Sequence, residues 1–129
     1  MRTVSLVGVV TAFALGLLTD VRAQTISYMA TDVSGITWDY NYRITNNTAS
    51  TISEFTIFAS LGQYANLSVA SSPSSFNSLV VQPDPAIPAD GYFDAQANSA
   101  GLADGATLSG FAMQFTYLGS AAAGTFHLG

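Results

Sequence analysis

A strict two-residue alternation in the segment 37–48, TWDYNYRITNNT, constrains this chain more than any other feature. Large apolar side chains occupy every second position (Trp38, Tyr40, Tyr42 and Ile44), with polar side chains between them. Successive side chains of a β-strand point to opposite faces, so the pattern predicts a strand with one ring-bearing face. That face is either the inside of a packed sheet or an exposed platform on which sugars stack.

The following segment, ISEFTIFAS, favours the buried alternative. A hairpin closed with Asn46 opposite Thr51 places three apolar pairs on one face and one charged pair on the other. The pairs are Tyr42 with Phe55, Tyr40 with Ile57, Trp38 with Ala59, and Arg43 with Glu54. An exposed face carrying all these rings would be a larger apolar patch than soluble monomers tolerate. We therefore expect the rings to pack against a second sheet.

Strand patterns recur along the rest of the chain, whereas helix patterns are nearly absent. In the segment GFAMQFTYLG the alternation resumes, but Leu108 is out of phase with Phe111, which predicts a bulge at Ser109-Gly110. Together these patterns predict an all-β fold, an antiparallel β-sandwich (Ig-like or jelly-roll-like) of about seven to eight strands rather than a closed barrel. Strands are expected near residues 25–31, 36–45, 52–60, 65–70, 77–82, 91–97, 106–118 and 125–128.

Residues 1–23 have the pattern of a secretory signal. Arg2 precedes a mostly apolar run over 4–18, and Val21-Arg22-Ala23 ends in the small residue that a signal peptidase reads. An uncleaved anchor is the alternative, but about 15 apolar residues fall short of the ~20 that a spanning helix needs. We expect an N-terminal signal helix over residues 1–23 that is removed, leaving one domain, 24–129, with no membrane span.

The mature chain is acidic and carries few charges. Residues 24–129 contain seven acids and one base, Arg43, which gives a formal net charge of −6. A single cation cannot neutralise phosphates, so nucleic acids and anionic membrane surfaces are excluded as partners. The chain has no cysteine, so an exported domain must hold together by packing without disulfides. This composition favours a bacterial protein that is secreted, outside the cell or at its surface.

Catalytic constellations are poorly represented in the sequence. His127 is the single histidine, and no G-x-S-x-G elbow accompanies it. A zinc site would need a cluster of histidines and cysteines that the chain lacks. Asp39 and Glu54 are the carboxylates considered for a glycosidase pair, but Glu54 is expected to pair with Arg43. We therefore expect that the protein is not an enzyme.

Calcium is the one cofactor for which the sequence offers candidate ligands. Asp84, Asp90 and Asp94 lie in or beside the proline-rich loop 83–88, where backbone carbonyls are also close. Oxygen atoms are the ligands that calcium takes. The spacing matches no D-x-D-x-D loop, so ordinary solvated loop acids are the alternative.

A candidate ligand-binding set lies in the same part of the sequence. The predicted register places Phe58 on the polar face, where it is either an ordinary exposed ring or part of a contact. Together with Asp90, Tyr92 and the loop 83–94, Phe58 forms the candidate site. The expected partners are a polysaccharide or other surface proteins.

Two segments, TWDYNYRITNNTASTISEFTI and GATLSGFAMQFTYLGSAAAGTFHLG, make the chain resemble a known family. They are similar to the extracellular β-sandwich domains of bacterial PEP-CTERM proteins, which exosortase sorts to the cell surface. The likeness covers residues 36–128, with Ala123-Gly124 where Pro-Gly is common and without the C-terminal sorting tail. The resemblance implies an exported structural or matrix-associated module without catalysis. The alternative function is a carbohydrate- or protein-binding domain that uses the loop 83–94, with or without calcium.

Overall fold

A computed structural model describes the backbone of residues 2–12 and all atoms of residues 24–119. All regular structure in these ranges is β, and the strands within residues 24–119 agree with the sequence-based expectations to within a few residues. The predicted strand at 125–128 lies outside the described residues. The strands are β1 (Arg2–Ala12), β2 (Gln24–Ser34), β3 (Thr37–Thr45), β4 (Glu54–Ala59), β5 (Tyr64–Ser71), β6 (Phe76–Val81), β7 (Gly91–Ala97) and β8 (Thr107–Tyr117).

Two antiparallel sheets pack against each other. The five-stranded sheet has the order β1-β2-β3-β8-β5, and the three-stranded sheet has the order β4-β7-β6. The chain passes from one sheet to the other four times, after β3, β4, β5 and β7. This arrangement confirms the predicted all-β antiparallel sandwich.

The ring-bearing face of β3 is the interior of the sandwich. Trp38, Tyr40 and Tyr42 are all buried, and so are the inward-facing side chains of β4, Phe55, Ile57 and Ala59. Phe111 of β8 meets Phe55 edge-to-face, with ring centroids 5.0 Å apart. Burying such large side chains is the dominant favourable term in folding. The expectation that a second sheet covers these rings is confirmed.

The expected hairpin between β3 and β4 is wrong. β3 lies between β2 and β8, whereas β4 pairs with β7 in the other sheet. Arg43 therefore stands opposite Ser27 and Ser109, and Glu54 stands opposite Gln96, so the predicted Arg43–Glu54 pair does not form. Alternation specifies which face of a strand is buried, but two strands that face each other across a core bury the same side chains as two neighbours.

A buried asparagine lies where the chain leaves β3 for the other sheet. Asn46 Nδ2 donates to the carbonyl oxygens of Ser50, at 2.7 Å, and Leu102, at 2.8 Å. Its Oδ1 accepts from the backbone N of Thr48, at 2.9 Å, and from Thr48 Oγ1, at 2.7 Å. Buried backbone groups need partners, and this one side chain supplies several of them at the crossing.

The predicted bulge in β8 is confirmed. Tyr42 pairs with Phe111 and Arg43 pairs with Ser109, so Gly110 is the additional residue between the two pairs. Gly110 has a φ of 103°, a value that disfavours any residue with a Cβ. The bulge brings Leu108 and Phe111 to the same side of the sheet.

β1 consists of residues that were expected to begin a signal helix. It pairs antiparallel with β2, from Arg2 opposite Asp32 to Ala12 opposite Gln24. A short apolar run rich in valine suits a strand or a helix, so periodicity does not distinguish the two. The rest of the expected signal helix, 13–23, lies outside the described residues. No helix in the described part of the chain is long and apolar enough to cross a membrane.

Replacing Phe111 with alanine is expected to destabilise the domain strongly. Phe111 is almost fully buried between Phe55, Phe76 and Phe93. Truncating such a ring removes its burial and leaves a cavity, at a cost of about 3 to 5 kcal/mol in urea unfolding. The matched control, Phe58→Ala, removes an exposed ring and should change stability by no more than about 0.5 kcal/mol. Equal effects of the two variants would contradict the assignment of the core.

Asn46→Ala is expected to lower the unfolding free energy by roughly 2 to 4 kcal/mol, because it leaves buried donors and acceptors without partners. Asn47, the next residue, is exposed. Asn47→Ala should therefore stay within about 0.5 kcal/mol of the parent in the same urea titration. A small effect of Asn46→Ala would show that the crossing does not depend on this side chain.

Candidate functional site

The outer face of the three-stranded sheet gathers the candidate ligand-binding rings. The pairing of β7 with β4 and β6 places the outward side chains in three cross-strand rows. The rows are apolar at one end of the strands and polar, with acidic side chains, towards the other. The rows are Phe58–Tyr92–Val81, Thr56–Asp94–Leu79 and Glu54–Gln96–Asn77.

The apolar end of this face is an exposed patch. Phe58 is 70% exposed, and its ring stands edge-on to that of Tyr92, with centroids 6.1 Å apart. Leu79 and Val81 of the neighbouring strand are also exposed. Exposed aromatic and aliphatic side chains that lie together on a rigid sheet are typical of a contact surface.

The acidic end of the face holds two carboxyl groups that interact. A hydrogen bond with Asp94 raises the pKa of Glu54, and partial burial and the charge of Asp94 act in the same direction. Thr56 Oγ1 donates to Asp94 Oδ1 at 2.6 Å. The raised pKa follows because a protonated Glu54 can donate a hydrogen bond to Asp94, whereas a charged Glu54 would be repelled by it.

The three acids proposed as calcium ligands have separate partners. Asp84 Oδ1 accepts from the backbone N of Ala86 at 2.9 Å, within the proline-rich loop. Asp90 Oδ1 accepts from the backbone N of Leu61 at 2.8 Å. Asp94 lies on the sheet face beside Glu54. Within residues 24–119, no three acidic, histidine or cysteine side chains come together as a group that could hold a metal ion.

The structure brings together part of the predicted ligand set. Phe58 and Tyr92 are direct cross-strand partners, whereas Asp90 points to the turn before β5. Leu79 and Val81 were missed because β6, FNSLVV, is apolar at too many positions to reveal its outer face. The pairing of β6 with β7, which no sequence pattern specified, places them beside the rings.

The carboxylates considered for hydrolysis are far apart in the fold. Asp39 is on the outer face of the five-stranded sheet, where its Oδ1 accepts from Gln114 Nε2 at 3.0 Å. Glu54 is on the outer face of the other sheet, with the whole core between them. A glycosidase needs its two carboxyl groups on either side of one bond, which this arrangement does not provide. His127 lies outside the described residues.

The five-stranded sheet also has a shallow groove of about 350 Å³ on its outer face. Ser27 and Met29 of β2, Asn41 and Arg43 of β3, and Ser109 of β8 contribute to its walls. Arg43 is its cationic side chain, and the aromatic residues that also line it, Tyr28, Tyr42 and Phe111, are buried rather than exposed. The exposed rings favour the other sheet as the candidate site.

Comparison with known proteins adds no relative to this description. The chain matches no protein-family model, no curated protein and no solved structure.

Replacing Glu54 with glutamine is expected to flatten the pH dependence of stability. The pKa of Glu54 is higher in the folded protein than its ordinary value of 4.5, so its stabilising contribution is complete at low pH and is lost as the pH rises through the raised pKa. Between about pH 4 and about pH 7, the parent should lose up to a few tenths of a kcal/mol relative to Glu54→Gln, since water screens the pair. Urea unfolding at several pH values measures this difference. Asp94→Asn should flatten the curve as well, and a parent-like slope in both variants would contradict the pairing.

Proposed function

We propose that this protein is an exported, matrix-associated structural module of a bacterium, without catalysis, which contacts its surroundings through the outer face of the three-stranded sheet. The signal-like residues 1–23, the acidic mature chain and the resemblance to PEP-CTERM sandwich domains support the export and the matrix association.

The main support for this proposed contact surface is the exposure of the Phe58 side chain. A phenylalanine that is 70% exposed contributes little to the stability of its own fold, since most of its surface faces water and its ring meets that of Tyr92 edge-on. The ring stands on a strand whose opposite face is core, so its position is rigid. Covering it by a partner would remove apolar surface from water at low entropic cost.

A polysaccharide is the second candidate partner, and the acidic end of the face favours it. The apolar C–H face of a sugar ring can pack on Phe58 while its hydroxyl groups hydrogen-bond to Asp94 and Glu54, which lie further along the same face. Sites of this kind combine an apolar floor with a few placed polar groups. Anionic polysaccharides fit less well, because the carboxyl groups would repel them.

Phe58→Ser is expected to reduce binding to isolated matrix material about tenfold or more, because an aromatic anchor at the centre of a contact carries a large share of the affinity. Ile87→Ser is the matched control, since Ile87 is also 70% exposed but lies in the loop 83–94. Co-sedimentation of the purified protein with matrix, with neutral glycans as competitors, measures both variants.

The two variants also separate the sheet face from the loop. Loss of binding in Ile87→Ser alone would place the contact on the loop and overturn the proposed surface. Competition by a neutral glycan would favour the polysaccharide, while a protein partner would be unaffected by it. A calcium titration of thermal stability tests the remaining expectation, because an ion that binds the folded state stabilises it by an amount that grows with the logarithm of its concentration above the dissociation constant.

A further inference from the structure

The outer edge of β2 is covered in the full chain by the residues that export would remove. β1 runs antiparallel along β2, with Ala12 opposite Gln24 and Arg2 opposite Asp32. The edge therefore accepts an extended strand in this structure. If residues 1–23 leave during export, as the proposed function requires, β2 becomes the edge of a four-stranded sheet.

The edge of β2 lacks the features that normally prevent an exposed edge strand from pairing with a strand of another molecule. β2 is 11 residues long and contains no proline and no lysine. Its single charged residue, Asp32, lies near one end, and the register shift that would bend the strand comes only after it, before Ser34. Natural sheets shield edges of this length with prolines, lysines, bulges or a covering segment. Residues 24–32 form a regular stretch whose unpaired backbone would be open to another strand.

We propose that the mature chain dimerises by antiparallel pairing of β2 with β2 of a second copy, about a two-fold axis at Tyr28. This register places buried side chains opposite buried ones, with Ile26 opposite the partner's Ala30, and solvent-facing ones together, with Ser27 opposite the partner's Met29. Two sheets of four strands become one continuous sheet of eight. A two-fold contact of this kind is self-complementary, because the same strand, β2, forms the interface in both copies.

The polar ends of β2 also match in this register. Gln24 comes opposite the partner's Asp32, so a side-chain amide donor meets a carboxylate twice, and the two aspartates stay apart. In the full chain the Gln24 amide is fully buried, and neither its Nε2 nor its Oε1 has a hydrogen-bond partner among the described residues. When a second copy takes the place of β1, this end of β2 is covered again, and the partner's Asp32 gives the Gln24 amide the acceptor that it lacks among the described residues of the full chain. A second copy is favoured over an unrelated strand for this reason.

The test uses the full chain expressed with its own first 23 residues, with the product recovered outside the cytoplasm. Mass spectrometry gives the N-terminal residue, and sedimentation velocity gives the oligomeric state. We expect a chain that begins at Gln24 and sediments as a dimer at micromolar concentration. Disulfide crosslinking then tests the register, since the chain has no cysteine of its own.

The double variant Ser27→Cys, Met29→Cys places cysteines directly opposite each other in the dimer, at a Cα separation of about 4.5 to 5.5 Å that a disulfide spans. Each single variant leaves its cysteine diagonal to its copy, about 7 to 8 Å away, which is too far. Oxidation should crosslink the double variant and leave both single variants largely uncrosslinked on a non-reducing gel.

Three results would overturn the proposal. A product that begins at Gln24 and sediments as a monomer contradicts the dimer and leaves the export proposal intact. A dimer in which the double variant crosslinks no better than the single variants contradicts this interface. A product that keeps residues 1–23 contradicts both export and the pairing of β2 that depends on it.

Discussion

Aromatic rings packed between two sheets hold this domain together. Tyr40 meets Phe115 with ring centroids 4.6 Å apart, and Phe55 meets Phe111 at 5.0 Å. Residues 24–129 contain no cysteine and one basic residue, so disulfides and an extended ion-pair network are not available to them. Apolar burial must therefore supply most of the stability, and the outer faces are displayed on a rigid interior.

Much of this fold is readable from the sequence because burial and alternation are local. The inward side chains of β3 and β8 follow from the two-residue period, and Gly110 marks the bulge that brings Leu108 back into phase. The partners of β3 are not readable in this way. Asn46, which carries the chain to the other sheet, bonds to Leu102, 56 residues away, and no local pattern encodes that contact.

The candidate site shows the same limit at the surface. Phe58 and Tyr92 are individually recognisable, but their contact depends on the pairing of β4 with β7. Charge matching assigned Glu54 to Arg43, whereas its neighbour is Asp94, an acid. An exposed ion pair contributes at most about 1 kcal/mol, while a buried aromatic side chain contributes about 2 to 3 kcal/mol. Core packing therefore determines which strands pair, and the neighbours of each surface charged residue follow from that pairing.

The burial of Trp38 gives the domain a built-in optical reporter. It is the single tryptophan of the chain, it is 5% exposed, and it stands opposite Phe115 in the register of β3 with β8. The emission colour of an indole follows the polarity around it. Opening of the sandwich would move this ring into water, so the intrinsic fluorescence of the unlabelled protein reports on sandwich closure from one known position.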